Sequence, residues 1–417
     1  MADVKNVVFD ARWMTPVPSG ITVYSRELMR RLPALEPSWR WNFLFRNEEQ
    51  RESVLASLEL PSSLRVAAHI LPYGPLSPRS QCSLPQFLRS IGSDLFHSPN
   101  YMVPYLAFGG PKTLLGLAPP ALKGCGRCIA NIHDAIPIIL RDYAPRSTTS
   151  RMLWLYRASL RFTIRSSVFT ITVSEASRND ITKALSLNEK DASSIRTIYN
   201  GVSERFSPLR AEARRSDTDP GHDRVRRSDT AQGRDKATKV VLYVGRLDPY
   251  KNVPALVDAF AMLLREENRP LHLLVVGPED KRYPEARLHA QYRGIQEHVT
   301  FIHGASDAEL VAAYRNASVL VNPSRYEGFG LPMVEAMKCG IPVICADGGS
   351  QPEIAGGAAE VVPVGDEQAL VAAMKRVLFD DAHAADLSAR GLARAADFSW
   401  DTAAAETLAL YREALSR

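Results

Sequence analysis

The sequence predicts an α/β protein with two domains, each built on a doubly wound parallel sheet. A chain of 417 residues is longer than one ordinary domain. Short apolar runs alternate with helical patterns in both halves, which is typical of parallel sheets covered by helices. Between the halves, residues 209–237 are rich in charge and nearly devoid of large apolar side chains, so we expect a disordered linker or insertion there.

The first half contains apolar runs that predict strands and one amphipathic run, residues 24–32, that predicts a helix. The predicted strands are residues 7–9, 94–97, 129–133 and 169–173. Asn200-Gly201 is a turn signal near the end of this half. We therefore take residues 1–208 as an N-terminal Rossmann-like domain.

The second half repeats the alternation. Its predicted strands are residues 239–245, 271–277, 299–302, 319–321 and 342–344, and its predicted helices are residues 253–265, 307–315, 332–339 and 367–378. These elements predict a C-terminal Rossmann-like domain over residues 238–397. A last helix, within 398–417, is expected to pack back on the N-terminal domain. Neither half has a Gly-x-Gly-x-x-Gly motif after its first strand, which argues against a dehydrogenase.

Composition and cysteine content limit the classes of protein to which this sequence can belong. No stretch approaches the roughly 20 uninterrupted apolar residues that a membrane-spanning helix needs. The first residues do not read as a signal peptide, so we expect a cytoplasmic protein. The five cysteines are too few for a disulfide scaffold. The one close pair, Cys125 and Cys128, precedes a predicted strand, so we interpret it as inert thiols rather than a zinc or redox motif.

Charge is distributed unevenly along the chain. Residues 1–205 carry 25 Lys and Arg against 16 Asp and Glu, whereas the remainder carries 26 against 30. A basic first half is compatible with an anionic partner such as a phospholipid surface, and equally with charge that only confers solubility. Arg157, Arg161 and Arg165 form one stripe of a predicted helix. The stripe suggests a peripheral membrane contact; alternatively, the helix packs on its own domain.

Ligands of open α/β sheets bind beyond the carboxyl ends of the strands, so the residues after each strand are the candidates. Arg246 and Lys251 follow the first strand of the second domain, and a planar fork of donors beside a compact ammonium suits a diphosphate. The alternative is a pair of solvated surface charges.

A glycine-rich loop precedes the predicted helix 332–339. Gly328 and Gly330 allow close approach of backbone to a ligand, and Pro332 suits the first turn of a helix. Amides at such a helix start bind anions. We place Glu335 within this first turn, where it could accept hydroxyl bonds or, alternatively, only offset the helix dipole.

The first half offers weaker candidates. His133 ends a predicted strand, and Gly20 lies at a strand-to-helix turn where a helix N-terminus could face a phosphate. A structural histidine and an ordinary turn glycine are the competing interpretations. His97 and Asp134 follow strands and are weak candidates for the acceptor side.

Taken together, these segments resemble the retaining glycosyltransferases of family 4, which adopt the two-domain GT-B fold with the domains facing across a cleft. The resemblance covers nearly the whole chain except residues 209–237. It is carried by motifs whose order and spacing agree with the family: residues 245–252, the pair Glu327 and Glu335, and residues 346–353, 132–134, 173–174 and 200–202.

The resemblance implies a role for each matching residue. Arg246 and Lys251 would hold the donor diphosphate, and Glu327 and Glu335 would bind hydroxyls of the transferred sugar and the ribose. His133 would hydrogen-bond the sugar and support its developing positive charge. The remaining donor-binding residues would be Gly20, Phe329, Gly330, Leu331 and His303. No metal or other cofactor is implied.

The function implied is transfer of a hexose from a nucleotide-sugar to a glycan or lipid-linked acceptor in polysaccharide or glycoconjugate biosynthesis. Residues 9–12 and 96–100 look like those of mannosyltransferases in this family, which favours GDP-mannose. A rhamnosyl-, glucosyl- or galactosyltransferase is an alternative. A non-catalytic nucleotide-sugar binding module and a nucleotide-sugar epimerase are alternatives of another class. No nucleic-acid partner is expected.

Overall fold

The computed structural model describes residues 4–15, 19–108, 124–140, 142–143, 145, 152–208 and 238–417. The predicted linker at 209–237 lies outside the described residues. The chain forms two compact units. Unit 1 comprises Met1–Ile139, Met152–Gly201 and Trp400–Arg417, and unit 2 comprises Leu140–Arg151 and Val202–Ser399. The stretch 202–208, which the sequence analysis gives to the N-terminal domain, therefore groups with unit 2.

Unit 1 is built on a parallel sheet of seven strands in the order β3-β2-β1-β4-β5-β6-β7. The strands are β1 Asn6–Phe9, β2 Arg40–Phe45, β3 Val66–Ile70, β4 Leu95–Ser98, β5 Arg127–Asn131, β6 Phe169–Thr172 and β7 Ile195–Thr197. The central strands β1, β4, β5 and β6 are short apolar runs that are almost wholly buried, as expected for a sheet covered on both faces.

The helices of unit 1 are α1 Gly20–Leu35, α2 Glu48–Leu58, α3 Pro78–Ser90, α4 Tyr105–Phe108, α5 Ile136–Ile139, α6 Leu153–Ser166, α7 Glu175–Ala184, α8 Glu189–Ser193 and, at the end of the chain, α16 Trp400–Ser416. Ser19 begins α1 by accepting a hydrogen bond from the amide of Thr22. The terminal helix α16 packs against α1 and buries Trp400 and Tyr411 completely in unit 1.

Unit 2 is built on a parallel sheet of six strands in the order β10-β9-β8-β11-β12-β13. Its strands are β8 Lys239–Val244, β9 Leu271–Val276, β10 Val299–Ile302, β11 Val319–Asn322, β12 Val343–Ala346 and β13 Glu360–Val362. Its helices are α9 Val253–Glu266, α10 Glu285–Tyr292, α11 Asp307–Asn316, α12 Leu331–Lys338, α13 Gln351–Ala355, α14 Glu367–Phe379 and α15 Asp381–Ala395. The apolar faces of α9 and α14 pack together on this sheet.

In each sheet the order of the strands reverses at one place, the switch point of that sheet. In unit 1 the reversal lies between β1 and β4, and in unit 2 it lies between β8 and β11. The connections on the two sides of such a point leave in opposite directions and open a crevice at the carboxyl ends of the strands. The loops after β1, β4, β8 and β11 are therefore the natural positions for ligand-binding residues.

The interpretation of the cysteines as inert thiols agrees with the structure. All five cysteines are free. Cys125 and Cys128 are buried at the start of β5, a strand rather than the helix that a redox motif opens. Burial raises the pKa of the Cys128 thiol to about 12, so its reactive thiolate is disfavoured at neutral pH.

Candidate functional site

A buried ion pair joins the two sides of the switch point in unit 2. Lys251, from the loop after β8, places Nζ 2.7 Å from Oε1 and 2.8 Å from Oε2 of Glu327, from the loop after β11. Only 15% of the lysine side chain and 10% of the glutamate side chain are exposed. Burial alone would lower the pKa of Lys251, but the Glu327 carboxylate raises it well above its ordinary value, so the ammonium stays charged.

The backbone of Glu327 is held by the segment after β12. Glu327 and Gly349 form a parallel bridge, and the carbonyl of Glu327 accepts bonds from both the amide and the Oγ of Ser350. Gly349 has φ +65°, and a Cβ there would lie 2.5 Å from the carbonyl oxygen of Glu327. Only glycine permits this approach. The Ser324 hydroxyl donates to Oε1 of the same glutamate at 2.6 Å, which fixes the carboxylate further.

Arg246 is paired as well, although it is more exposed. Its Nε lies 2.8 Å from Oδ2 of Asp248, and 57% of the arginine side chain is exposed. The cations Arg246 and Lys251 are thus each matched by a carboxylate. The sequence predicts two cations in this loop, and the structure adds that each is paired with a carboxylate at the carboxyl edge of the sheet.

The start of α12 lies beside this ion pair in the sequence and has no side-chain cap. Gly330 precedes the helix in the left-handed region, with φ 93°, and no side chain caps this N-terminus. Phe329 is buried, with its ring edge-on to Phe398 at 5.4 Å. Glycine at 330 and proline in the first turn therefore produce an open helix start next to Glu327, as the sequence predicts.

Glu335 lies further along α12 than predicted. The helix begins at Leu331, so Glu335 falls in its second turn, and the first turn contains no acidic residue. The expectation that Glu335 lies within the first turn is therefore wrong. One carboxylate oxygen accepts a 2.6 Å bond from the hydroxyl of Tyr314, and burial raises the pKa of the carboxyl group. Oε2 of Glu335 is therefore already hydrogen-bonded to Tyr314.

An amide at this edge has an unsatisfied donor. Asn322 ends β11, and its Nδ2 is buried with no hydrogen-bond partner among the residues that the structure describes. A Cβ placed on Gly330 would lie 3.9 Å from that nitrogen. Buried donors are normally paired, so an orphan here indicates a place for a ligand oxygen or a water.

His303 follows β10 at the same edge of the sheet. Its Nδ1 lies 3.0 Å from the carbonyl of Gly277 and its Nε2 lies 3.3 Å from Nη2 of Arg287. The imidazole is half-buried and stacks on Phe301 at a ring distance of 6.5 Å. Both ring nitrogens are therefore engaged by the protein.

In unit 1, His133 lies just beyond the end of β5. Its Nε2 is 2.9 Å from the carbonyl of Pro99, so Nε2 carries the proton and Nδ1 keeps its lone pair. Burial lowers the pKa of His133 below its ordinary value, which favours the neutral ring. Tyr24 packs edge-on against the imidazole at 5.3 Å.

His97 is not an acceptor-side residue. It is completely buried, with Nε2 2.6 Å from Oδ1 of Asn131 and Nδ1 hydrogen-bonded to the hydroxyl of Tyr411. Tyr411 belongs to α16, which covers this histidine. The acceptor-side expectation for His97 is therefore wrong, because no face of its ring reaches solvent.

Gly20 and Asp134 occupy helix starts in unit 1. Gly20 is the first residue of α1, and among the residues that the structure describes no atom would lie within 4 Å of a Cβ placed there. Oδ1 of Asp134 accepts a bond from the amide of Ile136 and so begins the short helix α5. Asp134 thus has a local structural role.

The arginine stripe of α6 faces its own unit. Arg157 donates to the carbonyl of Ala184, Arg161 donates to the carbonyl of Leu185, and Arg165 pairs with Asp191 at 2.9 Å. All three arginines are thus bonded within unit 1, but 42% of the Arg165 side chain is exposed, and a membrane contact through the stripe stays a prediction. Across the described ranges, no helix is both long enough and apolar enough to cross a membrane.

Three residues of this site escaped the sequence analysis: Tyr314, Asn322 and Ser324. Tyr314 lies on the predicted helix 307–315 and has no local signal of function. The other two could have been found, because polar side chains at or just after the end of an apolar strand in a parallel sheet fall at the ligand-binding edge.

Comparisons with known proteins agree with this geometry. Residues 225–394 match the family described as "Glycosyl transferases group 1". O-antigen chain mannosyltransferase B from Escherichia coli is 28% identical over 341 residues, 82% of this chain and 79% of that protein. The MMP alpha-(1->4)-mannosyltransferase of Mycolicibacterium hassiacum is 37% identical over 173 residues, 40% of this chain and 41% of that protein. The structure of Anabaena HepE in complex with UDP and glucose superposes with a TM-score of 0.70 at 17% identity, covering 97% of this chain and 99% of that one.

The two Rossmann-order sheets and the superposition define the GT-B fold. Residues 225–394 are a glycosyl transferases group 1 domain, and the chain is a glycosyltransferase with mannosyltransferase homologues.

Proposed function

We propose that this protein is a retaining glycosyltransferase that transfers mannose from GDP-mannose to a glycan or lipid-linked acceptor in polysaccharide or glycoconjugate biosynthesis. The observation that carries the proposal is the Lys251–Glu327 pair beside an uncapped helix start at the switch point of unit 2. A cation, a carboxylate and the backbone amides of a helix start without a side-chain cap suit a donor with both phosphates and hydroxyls. The likeness to O-antigen chain mannosyltransferase B over 82% of the chain supports mannose.

In this proposal the ion pairs exchange partners when the donor binds. The diphosphate oxygens take over Lys251 and Arg246, while Glu327 turns its carboxylate to hydroxyls of the sugar. An ammonium already desolvated and charged interacts strongly with phosphate, because little water remains to be displaced. The amides of Phe329, Gly330 and Leu331 complete the phosphate contacts.

The other donor contacts follow from the groups that remain available. Oε1 of Glu335 is assigned to the ribose hydroxyls, since Oε2 accepts the hydrogen bond from Tyr314. His303 is assigned to the region of the base, and Gly20, at the start of α1, to the phosphates. We assign His133 to a hydroxyl of the transferred sugar, through the lone pair of Nδ1.

The chemistry depends on charge that develops during transfer. The bond between the anomeric carbon and the donor phosphate oxygen breaks, and the electron pair leaves with the diphosphate. The sugar gains oxocarbenium character, and the acceptor hydroxyl forms the new bond on the same face while the departing phosphate oxygen takes its proton. Arg246, Lys251 and the amides stabilise the negative charge where it grows most. A neutral His133 can support the positive sugar without repelling it.

We propose that the reaction needs no metal, because cationic side chains and amides meet the leaving charge. Transfer is then expected to be unchanged when EDTA is added. A cytoplasmic site of action is supported by the five free cysteines, since disulfides are rare in reducing compartments. Any peripheral membrane contact would use the exposed Trp154 and Leu155 on α6.

The test is a donor panel with product analysis. Purified protein is incubated with GDP-mannose, GDP-rhamnose, UDP-glucose and UDP-galactose and with mannose-terminated oligosaccharides, and nucleotide diphosphate release is measured with and without acceptor. The anomeric configuration of the product is determined by NMR. We expect acceptor-dependent release of GDP and an α-linked mannose. A β-linked product would refute retention, and turnover with UDP-glucose alone would refute the donor assignment.

A further inference from the structure

We propose that Trp13 and Tyr101 form a platform that binds a pyranose ring of the acceptor, so that the acceptor is recognised as a sugar rather than by a lipid or phosphate group alone. This inference rests on the proposed function and deepens it. It concerns only unit 1. Neither residue was a candidate in the sequence analysis.

The position of the two rings is the first argument. Trp13 lies in the loop after β1 and Tyr101 lies in the loop after β4, so the pair spans the place where the strand order of unit 1 reverses. Ligands of doubly wound sheets bind at such points. The pair in unit 1 thus corresponds in its topology to Lys251 and Glu327 in unit 2. At this position unit 1 has two aromatic side chains, whereas unit 2 has two charged side chains.

The character of the surface is the second argument. The rings of Trp13 and Tyr101 are 6.0 Å apart and inclined by 50°, and both side chains are partly exposed. The ring of Tyr156 packs edge-on against that of Tyr101, with 5.0 Å between the ring centroids. A pyranose ring has an apolar face of C–H bonds and a rim of hydroxyls. Aromatic side chains offer a matching apolar face together with a polar edge.

Two unsatisfied donors provide an independent third observation. Nε1 of Trp13 and the hydroxyl of Tyr73 are buried and have no hydrogen-bond partner in the described part of the chain. Tyr73 belongs to the same edge, since the guanidinium of Arg12 lies over its ring at 5.2 Å. A buried donor left unpaired is destabilising. Hydroxyls of a bound sugar are acceptors that could satisfy both.

Side chains from outside the loop hold the backbone of residues 11–14, which includes Trp13, in place. Nε2 of Gln50 donates to the carbonyls of Ala11 and Met14, and Nε of Arg46 donates to the carbonyl of Arg12. Arg12 is itself completely buried in a bidentate pair with Asp10. A buried ion pair in a loop contributes little net stability, so its use here is to hold the backbone in one position. A preorganised platform binds a ligand at lower entropic cost.

The platform is connected to the proposed catalytic histidine. His133 donates to the carbonyl of Pro99, two residues before Tyr101 in the loop after β4. β1, β4 and β5 are neighbours in the sheet, so the loops that hold Trp13, Tyr101 and His133 leave it side by side. A sugar on the platform is therefore next to the residue assigned to the transferred sugar.

The test uses full-length protein and methyl α-D-mannopyranoside as the probe, with binding measured by saturation-transfer-difference NMR. We expect Trp13→Ala and Tyr101→Ala to weaken binding about tenfold or more, and Trp13→Phe, which keeps a ring, to weaken it about threefold. Tyr292→Ala is the control, because Tyr292 is 85% exposed on unit 2. Thermal unfolding shows that each variant is folded.

Turnover separates this inference from the proposed function. Trp13→Ala is expected to raise the KM for a mannose-terminated acceptor, whereas Tyr292→Ala should leave both this KM and the acceptor-independent hydrolysis of GDP-mannose unchanged. Undiminished probe binding by folded Trp13→Ala and Tyr101→Ala would overturn the platform. If the wild-type protein binds the probe through these residues but never uses GDP-mannose, the donor assignment fails and the platform stands.

Discussion

Lys251 and Glu327 are 76 residues apart in sequence, yet Nζ of the lysine lies within hydrogen-bond distance of both carboxylate oxygens of the glutamate. Lys251 follows β8 and Glu327 follows β11, the two strands between which the strand order of unit 2 reverses. A charge buried with its partner is tolerated, whereas the same charge alone is not. Stability and activity are therefore coupled at this site.

Replacing only one member of this pair is expected to lower the free energy of unfolding more than replacing both members. Glu327→Leu leaves a buried ammonium unpaired, so the free energy of unfolding should fall by about 3–5 kcal/mol. Lys251→Met combined with Glu327→Leu should recover much of that loss. Urea unfolding of the two single variants and the double variant measures the coupling. Strictly additive losses would show that the pair is not an interacting unit.

Transfer, unlike stability, is not expected to recover in the double variant. The lysine would no longer meet the diphosphate and the glutamate would no longer hold the sugar, so kcat should fall by about 100-fold or more in all three variants. Steady-state kinetics with a fixed acceptor checks this. Wild-type turnover in the double variant would remove both residues from the donor site.

Gly349 sets the position of Glu327 and can be tested against a matched glycine. Gly349→Ala introduces a Cβ only 2.5 Å from the carbonyl of Glu327, and it also strains a residue with φ +65°. Gly357→Ala carries the backbone strain alone, since φ there is +81° and a Cβ would meet nothing within 4 Å. Each should lose about 1 kcal/mol or more of stability.

Only Gly349→Ala should also lose transfer activity, because only that substitution displaces the carboxylate. Both variants are assayed for kcat at a temperature where both are folded. Equal activity of the two would mean that the backbone bridge does not position Glu327.

Arg246 is expected to matter for turnover and not for folding. The arginine side chain is 57% exposed, whereas that of its partner Asp248 is 6% exposed, and a pair with one member in solvent contributes about 1 kcal/mol because water screens it. Arg246→Ala should lower kcat/KM about tenfold to 100-fold while the free energy of unfolding changes little. Arg376→Ala is the matched control, because Arg376 is 54% exposed and also paired, with Glu360. A loss of activity in both variants would indicate a general charge effect.

His97 is expected to make the protein sensitive to acid. Burial lowers its pKa to about 4, whereas an unfolded histidine titrates near 6.5. Above pH 6.5 neither state binds the proton, so the stability is fully present. Between pH 6.5 and about 4 only the unfolded state takes up the proton, so stability falls as pH falls, by about 2 kcal/mol between pH 7.5 and pH 5.

The measurement is urea unfolding of the wild-type protein and His97→Gln at pH 7.5 and pH 5. Between pH 7.5 and pH 5 the free energy of unfolding should fall less for His97→Gln than for the wild-type protein. The difference between the two falls should be about 2 kcal/mol, the contribution of His97. Parallel losses in both proteins would mean that His97 does not carry this dependence.

The sequence predicted the fold class and most central strands, because buried strands of a parallel sheet are short apolar runs. It did not identify β2, β3, β7 and β13. Three of these, β3, β7 and β13, lie at sheet edges, where a strand is covered less and its residues need not be apolar. A short half-exposed run such as Glu360–Val362 carries no periodic signal.

Of the candidate site, the sequence predicted the residues but not their partners. Arg246 and Lys251 are predicted because they follow a strand, and Glu327 because of the family resemblance, yet no local pattern shows that β8 lies beside β11. The error at His97 has the same origin. A histidine at a strand end looks accessible until a helix from residues 400–416, more than 300 positions away, is known to cover it.

That terminal helix has a consequence for how the protein is made. Residues 400–416 leave the ribosome only after all of unit 2 has been synthesised. Unit 1 cannot bury Tyr24 and His97 against Trp400 and Tyr411 before then, so the first unit to emerge is the last to complete its core. A fragment that stops at Gly201 should remain loosely packed, and joining residues 400–417 to it should restore a cooperative unfolding transition.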